Sequence, residues 1–157
     1  MSDGKWAEAQ VRQYLDDRST RELTFAFHRY PDAKAARGSM TAQPSDFLVS
    51  MRIMGTEGRT LKVGDVTVPF YKVATHLEVK ETGKTTRLPK KKVRQFGMLR
   101  KYHWAGIEPL VVVYMTEAKR WVYLTAQELF SDDDSASFQL AGLKQFESVD
   151  DLLESAL

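Results

Sequence analysis

The chain has no cysteine among its 157 residues. Disulfides and thiolate zinc sites are therefore excluded, and a reducing, cytoplasmic compartment is expected. No run of eighteen apolar residues occurs; the longest, "PLVVVYM", is strand-sized, so no membrane partner is expected. The opening "MSDGKWAEAQ" has the pattern of neither a secretory leader nor a basic transit segment. A GxxxxGK loop and a Gly-x-Ser-x-Gly elbow are both absent, which removes a nucleotide cofactor and serine-hydrolase chemistry. His28, His76 and His103 show no metal-ligand spacing, although His76 lies two residues before Glu78 and would share its strand face.

Acidic residues are missing where bases crowd. Between Gly83 and Trp104 stand Lys84, Arg87, Lys90, Lys91, Lys92, Arg94, Arg100 and Lys101, with no Asp or Glu. The net charge of +2 hides a division: residues 131–157 sum to −6 and residues 1–130 to +8. Such asymmetry suits a polyanion-facing surface, with a solvated basic helix as the plain alternative. At 28% charged residues and an ordinary apolar share, the length suits one globular domain, 1–157.

Hydrophobic spacing orders the elements. Ser2 or Asp3 can cap a first helix, in which Ala7, Val11, Tyr14 and Leu15 form one face with Glu8 at its edge. Strands are expected at 22–30, from Asp46 through "FLVSMRIM", and at "VATHLEVKE". Gly55, Gly58 and Gly64-Asp65 indicate an inserted hairpin over 54–72. A helix is expected from Lys90 to about Ala105 with Val93, Phe96 and Leu99 inward, then a strand "EPLVVVYM" buried on both faces and its partner "RWVYLTA". "AQELF" reads as a short helix, "SDDDSAS" as a loop within the acidic segment 131–157, and "VDDLLESAL" as a terminal helix. The fold class is α/β, a mixed central sheet flanked by helices.

The chemistry centres on "EVK". Glu78 and Lys80 share a strand face about 6–7 Å apart, while Val79 turns to the core. A carboxylate there can hold a hard cation, the lysine beside it can hold or help deprotonate a water, and Asp46 at a strand start can add a second carboxylate. An exposed ion pair worth about 0–1 kcal/mol is the plain alternative.

The set Glu8, "QPSDF" with Asp46, "EVK", and "KKKVRQFGMLRKYHWAG" with Gln95 resembles the PD-(D/E)XK nuclease superfamily over roughly residues 5–125, and within it the RecU-like Holliday junction resolvases, phage-encoded relatives included. The resemblance implies a restriction-endonuclease-like fold and Mg²⁺, with Mn²⁺ able to substitute. It implies Asp46, Glu78 and the Val79 carbonyl as metal ligands, with Glu8 as a further ligand, direct or through water. Lys80 would orient or activate the attacking water, and Gln95 would support the site. It also implies a homodimer acting on four-way DNA in a bacterial or phage-infected cytosol, leaving a 5′-phosphate and a 3′-hydroxyl. Two features depart from the pattern: Pro44-Ser45-Asp46 in place of Pro-Asp, and a separation of 32 positions from Asp46 to Glu78, which leaves Asp65 as an alternative ligand.

Arg29, Lys34 and Arg37 before Asp46, and Lys84, Arg87, Lys90, Lys91, Lys92 and Arg94 after the triplet, are the expected phosphate contacts. Tyr102 and Trp104 are read as packing residues, with base stacking as the alternative. Two other functions stay open: a restriction-like, flap or mismatch nuclease of the same fold, and a non-catalytic DNA-binding module.

Overall fold

The computed structural model describes residues 4–31, 45–93, 95–131 and 134–157, with backbone alone for 53–63 and 67–72. Helix α1 (Lys5–Arg21) leads into β1 (Phe25–Arg29), β2 (Phe47–Val63) and β3 (Val66–Thr82). A short β4 (Arg87–Pro89) and a 3₁₀ turn (Lys90–Lys92) precede α2 (Phe96–Trp104). Then follow β5 (Glu108–Met115), β6 (Arg120–Leu124), α3 (Ala126–Leu129), β7 (Ser137–Gln139) and α4 (Val149–Ala156). The main sheet runs β1-β2-β3-β5-β6, and β4 pairs separately with β7. The β3–β5 pairing is parallel and the other neighbours antiparallel, so the sheet is mixed, as the sequence indicates. The crossover between the two parallel strands carries β4 and α2. Among the described residues no helix is long and apolar enough to cross a membrane.

Alternation along the strands splits the core into two layers. Leu77, Val79, Leu110 and Val112 meet Ala7, Val11 and Leu15 of α1 and Leu152 and Leu153 of α4. Val111, Val113 and Met115 turn the other way, onto Leu88, Val93, Leu99, Leu129 and Phe138. Glu78 and Lys80 therefore lie on the α2 face and Val79 on the α1 face. The acidic C-terminal segment has a packing role here. In α4, the Tyr14 hydroxyl donates to Glu154 at 2.7 Å, and Ser148 caps the helix by accepting from the Asp151 N–H.

The structure differs from the sequence reading in several places. Ser2 and Asp3 lie outside the described residues, and Gly4 occupies the cap position of α1. The hairpin expected over 54–72 is formed by the outer lengths of β2 and β3, which pair up to a turn at Gly64-Asp65 with a register shift between Met54 and Arg59. The single helix expected from Lys90 is broken. Val93 leaves helical backbone (ψ 79°) to bury its side chain, and α2 begins only at Phe96. Strands β4 and β7 are three residues each, too short for a period-2 signal to register.

Candidate active site

Asp46 stands just before β2, one residue outside the first registered pair of β2 and β3, Phe47 with Leu77. Continuing that register sets it opposite Glu78. One backbone bond fastens the corner: the Val79 N–H donates to Asp46 Oδ2 at 2.7 Å. Asp46 also accepts, through its carbonyl, from the Tyr30 N–H at 2.9 Å. Because the N–H and C=O of one strand residue leave on the same edge, the Val79 carbonyl faces this corner too, beyond the end of the β2 ladder. Lys80 Nζ lies 2.8 Å from Glu78 Oε1, with both side chains largely shielded from water.

The electrostatics of the corner are unfavourable without a further cation. Burial, and then the Glu78 charge, push the Asp46 carboxyl up to about 7; the Val79 N–H and Lys80 only partly oppose this. Burial raises Glu78 as well, opposed chiefly by the Lys80 ammonium. When ionised, the half-buried Asp46 and the buried Glu78 share one ammonium and carry net negative charge, and their oxygens are the hard donors that Mg²⁺ and Mn²⁺ prefer. The residues present thus fit a divalent ion held by Asp46 and Glu78, with substrate and water completing its shell. Among the described residues no group of three His, Asp or Glu side chains is arranged to hold a metal ion.

Glu8 is held differently from the other two acids. Glu81, next to Lys80 but on the opposite face, accepts from the Ala7 N–H at 3.1 Å and so pins α1 to β3 one residue before Glu8. The Glu8 carboxylate is engaged by Arg29, whose Nε and Nη2 both lie 2.9 Å from Oε1. Its charge nevertheless raises both Asp46 and Glu78, so it borders the same corner. Beside this ion pair opens a cavity of about 230 Å³ lined by Lys5, Glu8, Ala9, Arg12 and Arg29. Lys5 and Arg12 were not singled out by the sequence, although residues 5, 8, 9 and 12 share one helical face by their i, i+3, i+4, i+7 spacing.

Of the remaining expected residues, Gln95 sits immediately before α2, and among the described residues no hydrogen bond joins its side chain to Asp46, Glu78 or Lys80. Lys84, Arg87, Lys91 and Lys92 are exposed, whereas Lys90 is half-buried with its ammonium 5.5 Å from the centre of the Phe138 ring. Lys34, Arg37 and Arg94 lie outside the described residues. Asp65 occupies the turn at the far end of the β2–β3 hairpin, while the paired strands bring Asp46 to Glu78, so the register favours Asp46 over Asp65. Tyr102 packs on His76 at 4.7 Å, as a packing residue would, but Trp104 at 77% exposure does not pack.

No family model matches the chain, and no match was found among the curated proteins. Among solved structures it is similar to Hjc, a Holliday junction resolvase from Archaeoglobus fulgidus, an archaeal hyperthermophile. That likeness has 16% identity and a TM-score of 0.45, over 84% of this chain and 85% of that one. A likeness so loose leaves the function to this chain's own residues.

Proposed function

We propose that the protein is a divalent-metal-dependent DNA endonuclease that hydrolyses phosphodiester bonds in branched DNA, with the four-way junction as its substrate. One observation carries this reading: the Asp46 carboxylate is fastened to the backbone between Glu78 and Lys80, so two carboxylates and an ammonium converge on one strand segment. Mg²⁺ or Mn²⁺ bound there supplies Lewis-acid polarisation of the phosphodiester and charge neutralisation. The chain's own groups supply the rest. Asp46, Glu78 and the Val79 carbonyl hold the ion. Lys80, oriented by Glu78, directs the attacking water. Glu8, locked by Arg29, adds negative field or a water-mediated contact at the border, and Gln95 supports the site from the start of α2.

Binding is assigned to the cations around this corner. Lys5, Arg12 and Arg29 line one cavity, and Lys84, Arg87, Lys91 and Lys92 are exposed along the segment leaving β3. Half-buried Lys90, and Lys34, Arg37 and Arg94 outside the described residues, are further candidates for phosphate contact. Resolving a four-way junction takes two symmetric incisions, which a homodimer provides. Binding falls steeply with salt, by on the order of 10³-fold between 50 and 200 mM if six or more phosphates are engaged. Replacing Lys84, Arg87, Lys91 and Lys92 together by Ala flattens the salt slope by about one unit for each phosphate that is no longer neutralised.

Lys80→Ala lowers the cutting rate by about 10²–10⁴-fold, the span of a lost proton-transfer or water-orienting group, while junction binding stays near that of the parent. Single-turnover cleavage and gel-shift assays on one labelled junction measure both. The experiment that tests the function is a panel of linear, nicked, flap and four-way DNAs with Mg²⁺ or EDTA. Metal-dependent paired nicks in the four-way DNA are expected. Preference for unbranched duplex would indicate a restriction-like enzyme, and salt-sensitive binding without products would indicate a silent binding module.

A further inference from the structure

One buried nitrogen close to the acids has no partner. His76, two residues before Glu78 and on the same face, is 2% exposed, and its Nε2 has no hydrogen-bond partner among the described residues. A buried acceptor left bare destabilises a fold. The rest of the ring is well defined. Tyr30 stacks on it at 6.0 Å and 25°, Tyr102 lies at 4.7 Å and 59°, and Nδ1 is 3.1 Å from Ser45 Oγ. The Ser45 hydroxyl donates to the Phe47 carbonyl at 2.7 Å. Having used its one proton, Oγ can only accept, so Nδ1 is the protonated nitrogen and Nε2 the bare one.

Ser45 and Phe47 flank Asp46, so their bond closes a short loop around it, and His76 fixes the hydroxyl that makes that bond. A proline at 45 would hold the backbone covalently; a serine there needs a partner. An apolar residue at 76 would fill the space between the two tyrosines with no orphaned nitrogen. The bare Nε2 is accounted for if the bond at Nδ1 is what the neighbouring site requires. The geometry points to His76 as a positioning residue that acts through Ser45 to hold the Asp46 carboxylate at the cation site. This rests on the two-carboxylate reading above, and it assigns His76 no contact with metal or DNA.

The test compares Mn²⁺ affinity, read from the EPR signal of the free ion, with the metal-free thermal midpoint. The parent, His76→Leu, His76→Asn and Ser45→Ala are measured. In His76→Leu the affinity falls about 10–100-fold, as when a group orienting a ligand is removed, while the midpoint holds or rises because the orphan is gone. In His76→Asn, whose amide N–H can reach Ser45 Oγ, most of the affinity returns. Ser45→Ala weakens binding as His76→Leu does, and carries the test if that variant fails to fold. Parent-like affinity in His76→Leu or Ser45→Ala overturns the proposal. So does a joint fall of affinity and midpoint in both the Leu and the Asn variants, which a merely structural histidine would give. If the parent itself takes up no Mn²⁺, the metal reading falls and this one with it; uptake by the parent with unchanged variants removes the positioning role alone.

Discussion

Asp46→Asn stops the cutting of branched DNA and makes the metal-free protein more stable at pH 8. The loss of rate is about a thousandfold or more, since several kcal/mol of metal-ion charge stabilisation goes with the carboxylate. The gain in stability has a separate cause. At pH 8 the parent carries Asp46 ionised and half-buried beside Glu78, with Lys80 as the nearest ammonium. Asparagine keeps an oxygen for the Val79 N–H and removes the Asp46 charge. The expected gain is on the order of a few kcal/mol, or about 5–10 °C in Tm for a domain of this size. Cleavage assays and thermal melts in EDTA check the two halves. Activity and stability moving in opposite directions is the mark of a site kept at the expense of the fold; a variant that loses both together would instead indicate a structural aspartate.

Metal-free protein is most stable in mild acid and loses stability as the pH rises from about 4 to about 7. The sign follows from Asp46. Its folded value of about 7 stands above the ordinary 3.8, so the folded state binds the proton more tightly than the unfolded chain does. Its contribution is complete below the unfolded value and is gone once the pH has passed the folded one. Glu78, also raised by burial, acts in the same direction. Mg²⁺ reverses the trend, because it binds the ionised pair and competes with the proton. Melts at pH 5 and pH 8, each with EDTA or with Mg²⁺, are therefore expected to diverge: the metal-free Tm falls from pH 5 to pH 8, and the stabilisation given by Mg²⁺ grows over the same interval. Equal Tm values at both pH values without metal would mean that the two acids are not buried together.

Much of this corner is legible in the sequence, and what is not has physical reasons. The buried face of α1 follows from the spacing of Ala7, Val11, Tyr14 and Leu15, since helical period is a local property. The alternation at Glu78, Val79 and Lys80 is equally local and places the charges on one face. Strand β5, apolar on both faces, announces its position inside a sheet covered by helices on each side. The bond from Val79 N–H to Asp46 is not local. It depends on the register of two strands joined through a turn at Gly64-Asp65, and a shift of one residue would send Asp46 to the other face. The pairs Arg29 with Glu8 and Ser45 with His76 are likewise formed between distant segments, by residue types that occur everywhere in a chain. The break at Val93 escaped because the spacing of Val93, Phe96 and Leu99 fits a helix, and only tertiary packing pulls Val93 out of it.

Calorimetric titration of Mg²⁺ into the protein at pH 8 tests the shared-ion claim most directly. The account predicts saturable uptake by the parent, with proton release that diminishes above pH 7, and loss of that uptake in both Asp46→Asn and Glu78→Gln. Uptake by Asp46→Asn equal to that of the parent, or none by the parent, would contradict it.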